Sequence, residues 1–176
     1  MDQKIEAEIV SKILKGDRQA YALLVDEYKS PIYNLAYRII ANVEDADDIT
    51  QETFIRAYQY LWRYDPRKKY FTWLYTIAFN LIKNHIRKNK KVILSDELNE
   101  SSLMANNPSP EEKSIEGQEI SSYLLLLEDE SQALLIMKYQ EELSFDEIAG
   151  ITGKSLSAVK MRIYRSLEKL RELMKK

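Results

Sequence analysis

Apolar side chains return every three to four residues through almost all of this 176-residue chain, and no alternating run long enough for a strand interrupts them. Only four glycines and four prolines break the pattern. The expected class is therefore all-α. The breakers also divide the chain. From about Leu94 to Glu119 the apolar period fails, and Asn106 to Ser114 reads NNPSPEEKS, a linker composition. The expectation is two small helical domains, 1–93 and 120–176, joined by a flexible acidic linker at 94–119.

The overall balance of minus two conceals strong polarity along the sequence. Residues 62–91 hold nine basic and one acidic side chain, and residues 154–176 hold eight and two. Residues 92–130, between them, hold one basic and ten acidic. A phosphate backbone responds to a local basic stripe, so a near-neutral total does not exclude nucleic acid. It does predict weak DNA binding by the free chain.

With no cysteine there is no disulfide framework and no thiolate metal site, and one histidine cannot build an imidazole cluster. No cofactor is expected. The N-terminus MDQKIEAEIV mixes charges too early for a signal sequence, and no apolar run approaches the roughly 20 residues that span a bilayer. A cytoplasmic location is expected.

In the first domain the pattern predicts helices over Ile5–Leu14, about Arg18–Tyr28, and Pro31 to about Ile40, with Pro31 as an early residue of its helix. Asn42 to Glu44 turns the chain into a fourth helix that stops before Asp65-Pro66, and a fifth begins near Phe71. The fourth carries an inward stripe of Ile49, Thr53, Ala57 and Leu61. Asp45, Asp48, Gln51, Glu52 and Arg56 remain outside. Clustered carboxylates can hold a metal or share a proton, but no nucleophile, second histidine or phosphate loop lies nearby. A protein-docking face is the better reading.

The fifth helix puts Leu74, Ile77, Ala78, Leu81 and His85 on a stripe expected to be buried. Asn80, Lys83, Asn84, Arg87, Lys88 and Lys91 recur on another. Tyr58, Tyr60, Trp62, Tyr64, Tyr70, Phe71 and Trp73 precede or open it. Rings beside a basic groove can stack on unpaired bases, at about 1–3 kcal/mol per base. Equally, such rings can be core. His85 reads as a border core residue.

In the second domain Ser144-Phe145-Asp146-Glu147 matches a capping box, so a short helix should run to about Ile151. Gly153 suits a tight turn, and Ser155 can cap a longer helix with Val159, Ile163, Leu167, Leu170 and Met174 on one stripe. This is a helix-turn-helix pattern, whose second helix enters the major groove. Ser157, Lys160, Met161, Arg162, Tyr164 and Arg165 lie off the stripe in its N-terminal half. A bidentate arginine to guanine is worth about 1–3 kcal/mol of discrimination. A solvated basic face on a helical hairpin is the plainer alternative.

DADDITQETF, then FTWLYTIAFNLIKNHIRK, then SFDEIAGITGKSLSAVKMRIYRS resemble, in order, the successive regions of the extracytoplasmic-function group of bacterial RNA polymerase sigma factors. The resemblance covers nearly the whole chain. It implies two helical domains on a linker, no catalytic activity, and a docking helix, with Asp45, Asp48, Gln51, Glu52 and Arg56, that binds the clamp of core RNA polymerase. It implies that Tyr60, Tyr64, Trp73, Asn80, Lys83, Asn84, Arg87 and Lys88 recognise and help open the minus-ten element of promoter DNA, with Tyr64 and Asn80 placed to meet a flipped base. Ser157, Lys160, Met161, Arg162, Tyr164 and Arg165 would read the minus-thirty-five element. A further implied partner is an anti-sigma factor, and the free chain is expected to be monomeric. Family members often open the second domain with a leucine-proline turn and a nearby arginine, whereas this chain has Leu127-Glu128-Asp129-Glu130-Ser131-Gln132. The acidic linker would thread a basic channel of the polymerase or shield the DNA-binding faces.

On residues alone two other classes stay open. A stand-alone helix-turn-helix regulator, usually dimeric, leaves the docking helix and the first basic helix without a purpose. A helical adaptor leaves both basic faces without one.

Overall fold

The computed structural model describes residues 1–96, 123–124 and 126–175, and every regular element among them is helical. The chain divides into two compact units, Met1–Asn106 and Asn107–Lys176. Most of the expected acidic linker lies outside the described residues.

The first unit contains α1 (Gln3–Leu14), α2 (Tyr21–Ile40), α3 (Val43–Gln59) and α4 (Tyr70–Asp96). Short 3-10 turns at Arg18–Ala20 and Leu61–Arg63 join them. α2, α3 and α4 pack pairwise into a core, and α1 lies on α2 and α4. Asp2 caps α1 by accepting from the Lys4 amide, and Gly16, at φ 107°, supplies the left-handed turn that follows.

The two helices expected at Arg18–Tyr28 and Pro31–Ile40 are instead one continuous helix with Pro31 in its interior. A proline there removes one backbone hydrogen bond and crowds the preceding turn, at about 3 kcal/mol or more. Leu24, Tyr28, Ile32, Leu35, Ala36 and Ile39 bury one unbroken stripe across it. Each large apolar side chain so buried contributes about 1.5–3 kcal/mol, so the stripe outweighs the proline. α2 ends at Ala41, whose φ of 57° directs its amide to the Tyr37 carbonyl at 2.8 Å.

Asn42 caps α3 by accepting from the Asp45 amide at 2.9 Å. The expected inward residues Ile49, Thr53, Ala57 and Leu61 are all buried. Thr50 and Thr53 satisfy their buried hydroxyls by donating to the Ala46 and Ile49 carbonyls, both at 2.7 Å. On α4 the buried stripe is turned from the expected one: Leu74, Tyr75, Ala78, Phe79 and Ile82 are buried, while Ile77, Leu81 and His85 are half-exposed. Tyr75 and Phe79 displace them because α4 meets both α2 and α3 and needs a wider apolar face than one row of side chains. α4 also runs to Asp96, past the expected domain end at residue 93.

The start of α4 is held from a distant part of the chain. The Glu6 carboxyl group on α1, only 2% exposed, accepts from the Tyr28 hydroxyl and, at 3.0 Å, from the Tyr70 amide. α1 thus caps α4, and the same side chain ties in α2.

The second unit contains α5 (Asp129–Leu135), which continues into a π-helical turn at Ile136–Gln140, then α6 (Phe145–Thr152) and α7 (Leu156–Leu173). Leu134, Ile136, Met137, Ile148, Val159 and Ile163 form its core, each no more than 1% exposed. α5 begins without a proline because Glu128 takes φ −61° and ψ 142°, an extended conformation that leads into the helix at Asp129. The capping box on α6 is complete: the Glu147 amide donates to Ser144 Oγ at 3.2 Å and the Ser144 amide to Glu147 Oε2 at 3.0 Å. Gly153 turns the chain at φ 68°, and Ser155 caps α7. Val159, Ile163 and Leu170 are buried as expected, but Met174 is 52% exposed because α7 ends at Leu173.

Candidate nucleic-acid and protein interfaces

The outer face of α3 is less uniformly acidic than its sequence. Glu52 pairs with Arg56 at 2.5 Å, so their charges cancel, and Asp45 Oδ2 lies 3.3 Å from His85 Nε2 on α4. Asp48 and Gln51 are exposed, as expected of a docking face. Glu44, Asp47 and Ile55 are exposed beside them at helical spacing, and sequence reasoning did not single them out. The signal was present: positions 44, 47, 48, 51 and 55 make one continuous row. It combines three carboxylates, one amide and an apolar side chain that is 51% exposed. Among the described residues no group of three or more histidine, aspartate or glutamate side chains could hold a metal ion.

On α4, Asn80, Lys83, Asn84, Arg87 and Lys88 are all exposed, and Lys91 lies where side chains are not described. Arg87 Nη2 donates to Asn84 Oδ1 at 3.3 Å, and Lys83 Nζ sits 5.5 Å from the Phe79 ring centre. The face has polar donors and cations one turn apart along a single side of the helix. Together these suit a phosphate backbone with bases beside it.

The aromatic residues divide into core and surface. Tyr60 and Trp62 are 43% and 65% exposed, and the Arg63 guanidinium lies over both rings, at 5.1 and 4.8 Å. Trp73 is half-buried. Tyr64, expected to meet a flipped base, is only 6% exposed. Its hydroxyl donates to the Lys68 carbonyl at 2.5 Å, and its ring packs 5.5 Å from Tyr70 and 5.7 Å from Trp73. Burial pushes this phenol up to about 12. Tyr64 therefore offers no open face to a base; it braces the loop from Asp65 to Lys69 from beneath.

That loop is shaped locally. The Asp65 carboxylate accepts from the Arg67 amide at 3.0 Å and pairs with its guanidinium at 2.9 Å. The side-chain hydrogen bond from Arg67 holds the Asp65 carboxyl down to about 2.

On α7, Ser157, Lys160, Met161, Tyr164 and Arg165 are exposed along the helix, Met161 at 51% and Tyr164 at 55%. Lys160 lies 5.5 Å over the ring of Phe145, the first residue of α6, and Lys138 lies 4.8 Å from the same ring. Arg162 departs from the expectation. Its Nη2 is 2.7 Å from Glu128 and its Nη1 3.0 Å from Glu130, so its charge is turned toward α5.

The sequence and the fold have counterparts among known proteins. Residues 24–92 match the family model for Sigma-70 region 2, and residues 117–170 match that for Sigma-70, region 4. The chain is 38% identical over 174 residues to the ECF RNA polymerase sigma factor SigW of Bacillus subtilis, covering 93% of each chain. The chain belongs to the extracytoplasmic-function sigma factors. A second relative, the RNA polymerase sigma factor YlaC of Bacillus subtilis, is 32% identical over 157 residues, covering 87% of this chain and 91% of that one. The sigma factor RpoE of Bartonella quintana, solved with the anti-sigma factor NepR, has the same fold, with a TM-score of 0.72. It covers 88% of this chain and 96% of its own at 20% identity. As a sigma factor the chain binds core RNA polymerase and directs promoter-specific transcription initiation. No helix among the described residues is long and apolar enough to cross a membrane.

Proposed function

We propose that the three exposed faces divide the work of initiation among them. The row of Asp47, Asp48, Gln51 and Ile55 on α3, flanked by Asp45 and the Glu52–Arg56 pair, docks on core RNA polymerase. Asn80, Lys83, Asn84, Arg87 and Lys88 on α4, with Tyr60, Trp62 and Trp73 near its start, take the minus-ten element. Ser157, Lys160, Met161, Tyr164 and Arg165 on α7 take the minus-thirty-five element. One observation carries this reading: an acidic face with an exposed apolar residue and a cationic face stand on adjacent helices of one small unit, α3 and α4, which pack together. A stand-alone regulator has no use for the first of these.

Each unit alone would bind DNA weakly. Mounting both on one polymerase makes the second contact intramolecular and raises its effective concentration, so selectivity follows from two elements at a fixed spacing. Capturing an unstacked base costs a few kcal/mol, which contacts in a pocket must offset. Asn80 supplies the polar edge for this, and the exposed rings of Tyr60 and Trp62 supply flat surface. By the example of RpoE with NepR, an anti-sigma factor would hold the chain inactive by covering such faces.

The test is co-elution of the purified chain with core RNA polymerase on size exclusion, with Asp48→Arg as the control. Stable association that the substitution abolishes supports the docking assignment. An Asp48→Arg chain that still co-elutes refutes it.

A further inference from the structure

We infer that Arg162 positions the recognition helix instead of reading bases, and that the acidic start of α5 is the socket that holds it. The inference rests on the reading of α7 as the minus-thirty-five helix and refines which of its cations touch DNA. Position 162 lies on the inward edge of α7, on the same side as the buried residues Val159, Ile163 and Ser166. Its guanidinium is engaged at all three nitrogens: Nη2 to Glu128 at 2.7 Å, Nη1 to Glu130 at 3.0 Å, and Nε to Ser131 Oγ at 3.4 Å. A guanidinium presents its donors in one rigid plane, so turning the fork toward a guanine edge would break both ion pairs. Lys160 and Arg165 are exposed, and Lys160 lies over the Phe145 ring at 5.5 Å.

Glu128 and Glu130 stand at the start of α5, which packs against α7. Arg162 bridges the two, and Lys154, at the turn before α7, adds a 3.0 Å pair to Glu130. The same contacts fix the rotation of α7 on α5.

The test uses the full chain assembled with core RNA polymerase. Affinity is measured by fluorescence anisotropy over a salt series, on promoter fragments with and without the upstream element. Neutralising a residue that contacts phosphate lowers the slope of log affinity against log salt by about 0.9, because one fewer counterion is released. The expected result is that Arg162→Ala weakens binding to the upstream-element fragment several-fold with the slope unchanged, whereas Arg165→Ala lowers the slope by about 0.9. Arg162→Lys keeps the charge and loses the planar fork, so it should share the parallel, several-fold loss. It also covers the case in which the alanine variant folds poorly by circular dichroism. A lowered slope for Arg162→Ala, or wild-type affinity for Arg162→Lys, overturns the assignment. If wild type and Arg165→Ala bind both fragments alike, the reading of α7 itself falls, and this refinement with it.

Discussion

Replacing Glu6 by leucine should destabilise the first unit without touching the second. Glu6 fills its site at 2% exposure and accepts from the Tyr28 hydroxyl and the Tyr70 amide, both on residues that are themselves buried. Leucine has nearly the volume of glutamate, so the change leaves little cavity but strands two buried donors. Each stranded donor costs about 1–3 kcal/mol, which puts the total near 4 kcal/mol. A domain of roughly 100 residues loses about 4–8 °C of melting temperature per kcal/mol, so the midpoint should fall by well over 10 °C. The assay is urea or thermal unfolding followed by tryptophan emission. Both tryptophans, Trp62 and Trp73, lie in the first unit, so the signal reports that unit alone. Glu6→Gln retains an acceptor oxygen and should fall between wild type and the leucine variant. A Glu6→Leu chain destabilised by less than about 1 kcal/mol would refute the claim that α1 caps α4.

Three further outcomes follow from the same structure. Asn80→Ala, at an exposed site, should weaken promoter opening, read by permanganate footprinting, while co-elution with core polymerase stays intact; loss of both would contradict the assignment. Burial pushes Tyr21 and Tyr64 up to about 12 from the ordinary 10. Because these values are raised on folding, their contribution is fully present below pH 10 and is lost as pH rises through about 12. A late component of tyrosinate absorbance should therefore appear together with loss of tryptophan signal, and loss of that late component in the folded chain would be the contrary result. Gly153→Ala places a side chain at φ 68° with nothing within 4 Å of the new carbon, so only backbone strain opposes it. The expected cost is about 1 kcal/mol by calorimetry of the second unit, and several kcal/mol would mean that packing, not conformation, fixes the turn.

The all-α class, the capping box at Ser144, the cap at Ser155 and the inward row of α3 were legible because each is a local pattern of a few residues. Pro31 was misread for the complementary reason. A local rule places proline at a helix start, but long-range burial along α2 carried the helix through it. Tyr64 and Arg162 show the same limit at the functional faces. An aromatic residue beside cations, or an arginine on a recognition helix, looks available until its packing is known. Tyr64 is closed off by Tyr70 and Trp73, and Arg162 by carboxylates more than thirty positions earlier. The reach of Glu6 to the start of α4 gave no local sign at all, since its partners lie 22 and 64 residues away.

Asp45 Oδ2 lies 3.3 Å from His85 Nε2, which also meets Asn89 Nδ2 at 2.8 Å, and this contact between α3 and α4 couples the two helices genetically. Asp45 belongs to the helix assigned to the polymerase, and His85 to the helix assigned to the promoter. A substitution at either position should therefore yield a mixed phenotype, scoring in a screen for assembly and in a screen for promoter choice. Second-site suppressors of an Asp45 defect should map to α4 as readily as to the polymerase, and alleles at Asp48, which has no such bridge described, are the cleaner markers of docking.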